Sequence, residues 1–247
     1  MPEAILRAKN LTKVYGSGRT AVRAVDNVSL ILKRGEVVLL MGPSGSGKTT
    51  LLTMLSGLLR PTSGSIELYP PENPKRAIEL TGLTRDALAR LRLERMGFIF
   101  QHSNLLEALT AVENVMVPLL IKGVKKVEAR ERAERLLMEL GMEDRLDSRP
   151  SELSGGEQQR VAIARALITD PDIIIADEPT ANLDSRNGRE AIKLIHEKAK
   201  KRGKCVMIAT HDPRILGFAD RILYMEDGKI YRKDSRQAEK LLLFDEY

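Results

Sequence analysis

Two spacings of apolar residues alternate along this chain. ILRAKNLTKVY (5–15) and AVRAVDNVSLIL (21–32) place apolar side chains on alternate positions, the period of a half-buried strand, and GSGRT (16–20) between them reads as a turn. EVVLLM (36–41) is apolar throughout, the pattern of a strand covered on both faces. A glycine-rich loop follows, and TTLLTMLSGLL (49–59) predicts a helix that runs on until Pro61 stops it. PPENPK (70–75) reads as a surface loop, DALARLRLER (86–95) as a helix and MGFIFQ (96–101) as a short strand.

From Leu105 to Asp147 the spacing is helical and amphipathic, with no strand-like run, which predicts a helical subdomain inserted into an α/β core. A helix begins near Gly155, DIIIADEP (172–179) is a buried strand, and SRNGREAIKLIHEKAKK (185–201) is a helix. CVMIATHD (205–212) is another buried strand, and RILYME with KIYR predicts a closing hairpin around Asp227-Gly228. The expected division is an α/β core of residues 1–104 and 168–247 with a helical subdomain at about 105–167. The ending AEKLLLFDEY (238–247) is too short for a further domain.

Composition narrows the class without naming a function. At 247 residues, with 43% hydrophobic and 30% charged residues, the chain can bury one good-sized core, and no apolar run reaches the length of a membrane span. The start MPEAILRAKN has no signal-peptide core. A single cysteine, Cys205, suits a reducing cytoplasm and reads as a small buried strand residue rather than a reactive thiol. The net charge of +6 could serve nucleic acid, anionic lipid or nothing specific. KGVKKVEARERAER (122–135) and HEKAKKRGK (196–204) carry much of the excess at helical spacing, which favours a solvated face. With four Phe, five Tyr and no Trp, a base-stacking platform is not expected, nor is a nucleic-acid partner.

The chemistry lies in the motifs. GPSGSGKT (42–49) satisfies G-x-x-x-x-G-K-[ST] between a buried strand and a helix. Its residues Gly42, Pro43, Ser44, Gly45, Ser46 and Gly47 offer backbone N–H groups to phosphate oxygens, Lys48 carries charge to the β- and γ-phosphates, and Thr49, followed by Thr50, offers a hydroxyl to Mg²⁺. Asp177, ending the strand IIIAD, supplies the carboxylate that Mg²⁺ needs beside such a loop. Glu178 follows at once; a second acid there can orient and deprotonate an attacking water, a reading favoured over a capping or solvated acid. ELSGGEQQR (152–160) is a second phosphate-grade turn that has no lysine. Gln101, Asp184 and His211 each end or follow an apolar run and are weak signals singly.

In the order phosphate loop, Gln101, LSGG, Asp177-Glu178, Asp184, His211, these elements resemble the nucleotide-binding subunits of ATP-binding cassette (ABC) transporters, from Ala4 to about Arg232. The resemblance implies a phosphate-loop NTPase core with an N-terminal antiparallel β region and an inserted helical subdomain. It also implies ATP and Mg²⁺ as cofactors, with Thr49, Gln101 and Asp177 at the metal. Tyr15 would stack on adenine, a contact of about 1–3 kcal/mol where bases stack on aromatics, a reading favoured over a strand-end tyrosine. Glu178, His211, Gln101 and Lys48 would be catalytic, with His211 on the γ-phosphate; His102 and His196 have no counterpart and read as solvated. Ser154, Gly155, Gly156 and Glu157 would complete the nucleotide site of a second copy bound head to tail, and Asp184 would span the two subunits.

RLRLERMGFIFQHSNLLEALTAVENVMVPL (90–119) and RPSELSGGEQQRVAIARAL (149–167) look like the subfamily of lipoprotein release and macrolide export. That implies a separate integral-membrane permease, a location at the inner face of the membrane, and export or extraction. Two positions depart from the pattern: Glu157 stands where Gln is usual, tolerable where it points towards ribose or solvent, and PPENPK replaces a short polar turn. The alternative is a soluble ABC ATPase of iron–sulfur assembly or another non-transport complex. An ordinary phosphate-loop kinase or GTPase leaves LSGGE, TANLD and His211 unexplained.

Overall fold

The N-terminal alternation is that of an antiparallel sheet. Strands β1 (Ala4–Tyr15) and β2 (Val22–Lys33) pair antiparallel, with Tyr15 opposite Val22. Strand β4 (Ser63–Leu68) pairs with the other edge of β1, and the short β5 (Ile78–Glu79) closes the order β2-β1-β4-β5. The computed structural model describes residues 3–181 and 183–232, so the 238–247 ending lies outside the described residues.

The continuous apolar runs form a second, six-stranded sheet. It holds β3 (Val37–Met41), β6 (Met96–Ile99), β7 (Ile173–Asp177), β8 (Cys205–Ala209), β9 (Arg221–Glu226) and β10 (Lys229–Arg232) in the order β10-β9-β3-β8-β7-β6. Its neighbours are parallel except for the β9–β10 hairpin. That hairpin turns through Asp227 (φ 47°) and Gly228 (φ 76°), the two left-handed residues a tight two-residue turn requires.

Every residue of β3, β7 and β8 is buried, and their period of two feeds two cores. Val38, Leu40, Ile173, Ile175 and Met207 pack with the antiparallel sheet, helix α1 (Lys48–Leu55) and helix α2 (Arg85–Arg95). Val37, Leu39, Met41, Ile174 and Ile208 pack on the other side with α3 (Ala111–Ile121), α4 (Lys126–Met138), α5 (Gly155–Leu167) and α6 (Ser185–Arg202). Each fully buried large aliphatic contributes about 1.5–3 kcal/mol, and the sheet draws on both faces at once.

Helix α1 is shorter than the apolar pattern implies. It ends at Leu55 because Gly57 turns left-handed (φ 67°), and the carbonyl of Thr53 accepts from both Leu58 and Leu59 N–H at 3.0 Å. The apolar Leu58-Leu59 pair extends the pattern without extending the helix.

The basic stretches are paired in part. On α4, Arg130 Nε donates to Glu134 at 2.6 Å and Arg132 pairs with Glu128, i to i+4 contacts that add little on an exposed face. Lys204 is not simply solvated: only 15% exposed, its ammonium sits 3.6 Å from both Asp170 and Asp172. Among the described residues no helix is long and apolar enough to cross a membrane.

Candidate nucleotide site

The glycine-rich loop leaves β3 and enters α1 in a conformation that side chains would block. Gly42 (φ 146°) lies where a Cβ would meet the Met225 carbonyl oxygen at 2.0 Å, and Gly47 (φ 102°) where one would meet the Ala24 carbonyl oxygen at 2.1 Å. Gly45, by contrast, has no heavy atom within 4 Å of its Cβ position, so its side of the loop is open. The buried Ser46 hydroxyl has no hydrogen-bond partner among the described residues. A loop of backbone N–H groups, an open side and an orphaned hydroxyl fit a phosphate chain. The loop is also close to β2 through Ala24, two residues from the Val22 that pairs with Tyr15. Tyr15 is 44% exposed, with Lys13 Nζ 5.3 Å from its ring centroid.

Lys48 folds back over the loop, its ammonium donating to the Gly42 and Pro43 carbonyls at 2.8 Å each. Burial lowers its pKa, opposed by the charges of Glu178 and Asp177. Thr49 Oγ1 donates to Asp177 Oδ2 at 2.7 Å, which brings the loop's hydroxyl and the β7 carboxylate together. Desolvation raises the Asp177 pKa, the Thr49 bond opposes that shift, and the neighbouring Glu178 charge adds to it.

Glu178 itself is buried in a left-handed backbone (φ 47°) uncommon outside glycine, with its N–H donated to the Ala209 carbonyl at 2.8 Å. That places the end of β7 directly beside the end of β8, and Glu178 Oε1 lies 2.8 Å from His211 Nδ1. Asp212 joins the same two loops: Thr180 Oγ1 donates to its Oδ2 at 3.1 Å, and the Arg214 guanidinium clamps it at 2.7 and 2.8 Å. Neither Thr180 nor Asp212 stands out in the sequence.

Gln101 is exposed, two residues past β6. Its loop is held by three side chains to which the sequence reading assigns no role. Arg165 on α5 donates to the Asn104 and Ser103 carbonyls at 2.8 and 2.7 Å, and Gln159 donates to the Phe100 carbonyl at 3.2 Å. Fully buried Asn114 on α3 accepts from Leu106 N–H at 2.8 Å and donates to the Leu106, Leu109 and Thr110 carbonyls. The available signal was a polar residue on an otherwise apolar helix face, as at Gln159 in EQQRVAIARAL.

The second glycine turn is built as a helix start. Ser154 caps α5, accepting from Glu157 N–H at 3.3 Å, while Glu157 Oε2 accepts from Ser154 N–H at 2.7 Å and from its hydroxyl at 2.8 Å. Arg145 Nε reaches the other carboxylate oxygen at 3.2 Å. The S-x-x-E spacing turns the Glu157 carboxylate back on the cap. Its pKa is lowered by the Ser154 N–H, then the Ser154 hydroxyl, then Arg145. Asp184 starts the next helix, accepting from Asn187 N–H at 3.0 Å, and Asn187 Oδ1 accepts from Arg160 of α5 at 2.8 Å. His102 is exposed, whereas His196 is half-buried with its ring edge-on to Phe218 at 5.7 Å. Cys205 is fully buried and desolvation pushes its thiol pKa up, consistent with an inert strand residue.

A phosphate loop at the carboxyl edge of a parallel sheet, facing a Thr49–Asp177 pair and a strained glutamate, defines a nucleotide-binding α/β cassette. The family model described as ABC transporter matches residues 25–181, and the chain belongs to that family. An uncharacterized ABC transporter ATP-binding protein of Mycobacterium tuberculosis is 46% identical over 225 residues, covering 91% of this chain and 66% of that protein. The macrolide export ATP-binding/permease protein MacB of Hyphomonas neptunium is 43% identical over 230 residues, 93% of this chain but 34% of that protein. Among solved structures, a dimeric ATP-binding cassette in a post-hydrolysis state bound to ADP and Pi superposes with a TM-score of 0.86 at 40% identity, covering 93% of this chain and 98% of that one. The cassette cbiO1 from Clostridium perfringens, part of the transporter complex cbiONQ, gives 0.79 at 29% identity over 96% of this chain and 91% of its own. The fold is the ABC ATPase fold.

Proposed function

We propose that this chain is the ATP-hydrolysing subunit of an ABC transporter, closing head to tail with a second copy around two Mg-ATP and driving a separate membrane permease. The observation that carries the reading is the convergence of Lys48, Thr49, Asp177, Glu178 and His211 at one end of the parallel sheet, joined by the 2.7 Å Thr49–Asp177 and 2.8 Å Glu178–His211 contacts. Thr49 and Asp177, with Gln101, are the oxygen donors for Mg²⁺, which when bound offsets charge on the phosphates. Lys48 and the loop amides hold the β- and γ-phosphates, and Glu178, oriented by His211, takes the proton of the attacking water. The rest of catalysis is positioning.

A second copy gives this glycine turn a phosphate to serve: the side-chain bonds of Ser154 and Glu157 stay within residues 145–157 and reach none of Lys48, Thr49, Asp177 or Glu178. Its lysine is absent because Lys48 of the other copy supplies that charge. Residues 105–167 form the helical subdomain in this reading, set against a core of 1–104 and 168–247. Exposed Leu106, Ile121 and Val127 give that subdomain an apolar surface for a permease. The chain's place is the inner face of the membrane, where anionic lipid attracts Lys and Arg by about 1 kcal/mol each. Export is the reading that likeness to the macrolide export protein MacB supports, and lipid or lipoprotein extraction rests on the sequence resemblance of residues 90–119 and 149–167.

The test is ATP turnover with and without a chelator, on the protein together with whatever membrane protein copurifies from native membranes. Mg²⁺-dependent turnover and a copurifying permease are expected. A soluble assembly without a membrane partner overturns the transporter reading.

A further inference from the structure

The Ser154 hydroxyl has one proton to give, and it gives it to a carboxylate of its own chain. Glu157 Oε2 accepts that hydrogen bond at 2.8 Å and another from the Ser154 N–H at 2.7 Å, while Arg145 Nε donates to Oε1 at 3.2 Å. The Glu157 side chain is only 18% exposed. It therefore lies over the N-terminus of α5, where an incoming phosphate has to bind.

We propose that Glu157 is a latch on the signature serine: its carboxylate keeps the Ser154 hydroxyl occupied, and the γ-phosphate on the other copy must take that hydrogen bond over before the dimer closes. The inference rests on the head-to-tail reading above. No covalent bond is made or broken; the hydroxyl turns its hydrogen bond from one anion to another. Two costs oppose closure, the loss of a charge-assisted hydrogen bond and the approach of a second negative group to a first. Arg145 offsets part of the repulsion, and ADP, with no γ-phosphate, has nothing to displace the latch. Glutamine at the same position keeps an acceptor for the Ser154 N–H, because the capping box takes Glu or Gln, but carries no charge to repel phosphate.

Glu157 is thus a positioning residue. The test is made in a Glu178→Gln background, with the ATP concentration for half-maximal dimerisation read by light scattering. Adding Glu157→Gln is expected to lower that concentration about fivefold, the scale of one partly screened like-charge contact. A merely structural contact, when weakened, would hinder assembly and raise it. Arg145→Ala is expected to raise the midpoint when Glu157 is present and to leave it unmoved with Glu157→Gln. An unchanged or higher midpoint for Glu157→Gln overturns the latch, as does an Arg145→Ala effect of equal size in both backgrounds. If Glu178→Gln alone stays monomeric at saturating ATP, the dimer reading has failed instead. Melting temperatures within about 2 °C of the parent keep folding out of the comparison.

Discussion

His211 Nδ1 lies 2.8 Å from Glu178 Oε1, joining the residue after β7 to the loop after β8. An ionised carboxylate only accepts, so with Glu178 in that form the contact assigns the imidazole proton to Nδ1. The His211 side chain is 77% exposed and that of Glu178 only 11%, so the histidine approaches a buried acid from the open side. His211→Ala removes the contact that orients Glu178 and is expected to lower the turnover number by about 10²-fold, with a much smaller change in KM. Steady-state ATPase kinetics measure that split.

Gly42 cannot carry a side chain. A Cβ would stand 2.0 Å from the Met225 carbonyl oxygen, at a backbone φ of 146°. Gly42→Ala is expected to lose about 3 kcal/mol or more and to abolish nucleotide binding together, since β9 has to move to admit the methyl. Thermal unfolding and nucleotide titration read the two effects on one sample. Gly45→Ala, with open space around it, is expected to lose less stability.

Asn114 bolts the segment after Gln101 to α3. Truncation to Ala leaves the Leu106 N–H and three carbonyls without their side-chain partner inside the protein. The expected loss is about 2–4 kcal/mol in denaturant unfolding, with the midpoint shifted and the slope unchanged.

Glu157 gives a pH signature. Its folded pKa is lowered, so its stabilisation is complete above the unfolded glutamate value of about 4.3 and is lost as pH falls through the folded value. Glu157→Ala is therefore expected to be about 1 kcal/mol less stable at pH 7, and that gap should narrow below about pH 4. Melting curves of both proteins from pH 7 to pH 3 check it.

Much of this was legible in the sequence, and the reason is local. The double-faced strands were readable because every position from Val37 to Met41 is apolar, and the Asp227-Gly228 hairpin because its turn needs those residue types. The loop, Asp177 and Glu178 were readable because their chemistry fixes both residue type and place on a strand end. What escaped depended on partners distant in sequence. Arg145 meets Glu157, Arg165 meets Ser103, and Asp212 meets Thr180 only after the loops are folded, and no spacing encodes those meetings. The end of α1 escaped for another reason: Leu58 and Leu59 keep the apolar pattern going after Gly57 has already turned the backbone. The inward turn of Glu157 is legible in the S-x-x-E spacing of a capping box.

The central claim is that one copy holds only half of each ATP site. It is tested most directly by the mass of Glu178→Gln in solution, by light scattering, at saturating Mg-ATP and without nucleotide. A doubling of mass that needs ATP, and that Ser154→Arg abolishes, is the expected result. A strictly monomeric protein at saturating ATP would contradict it.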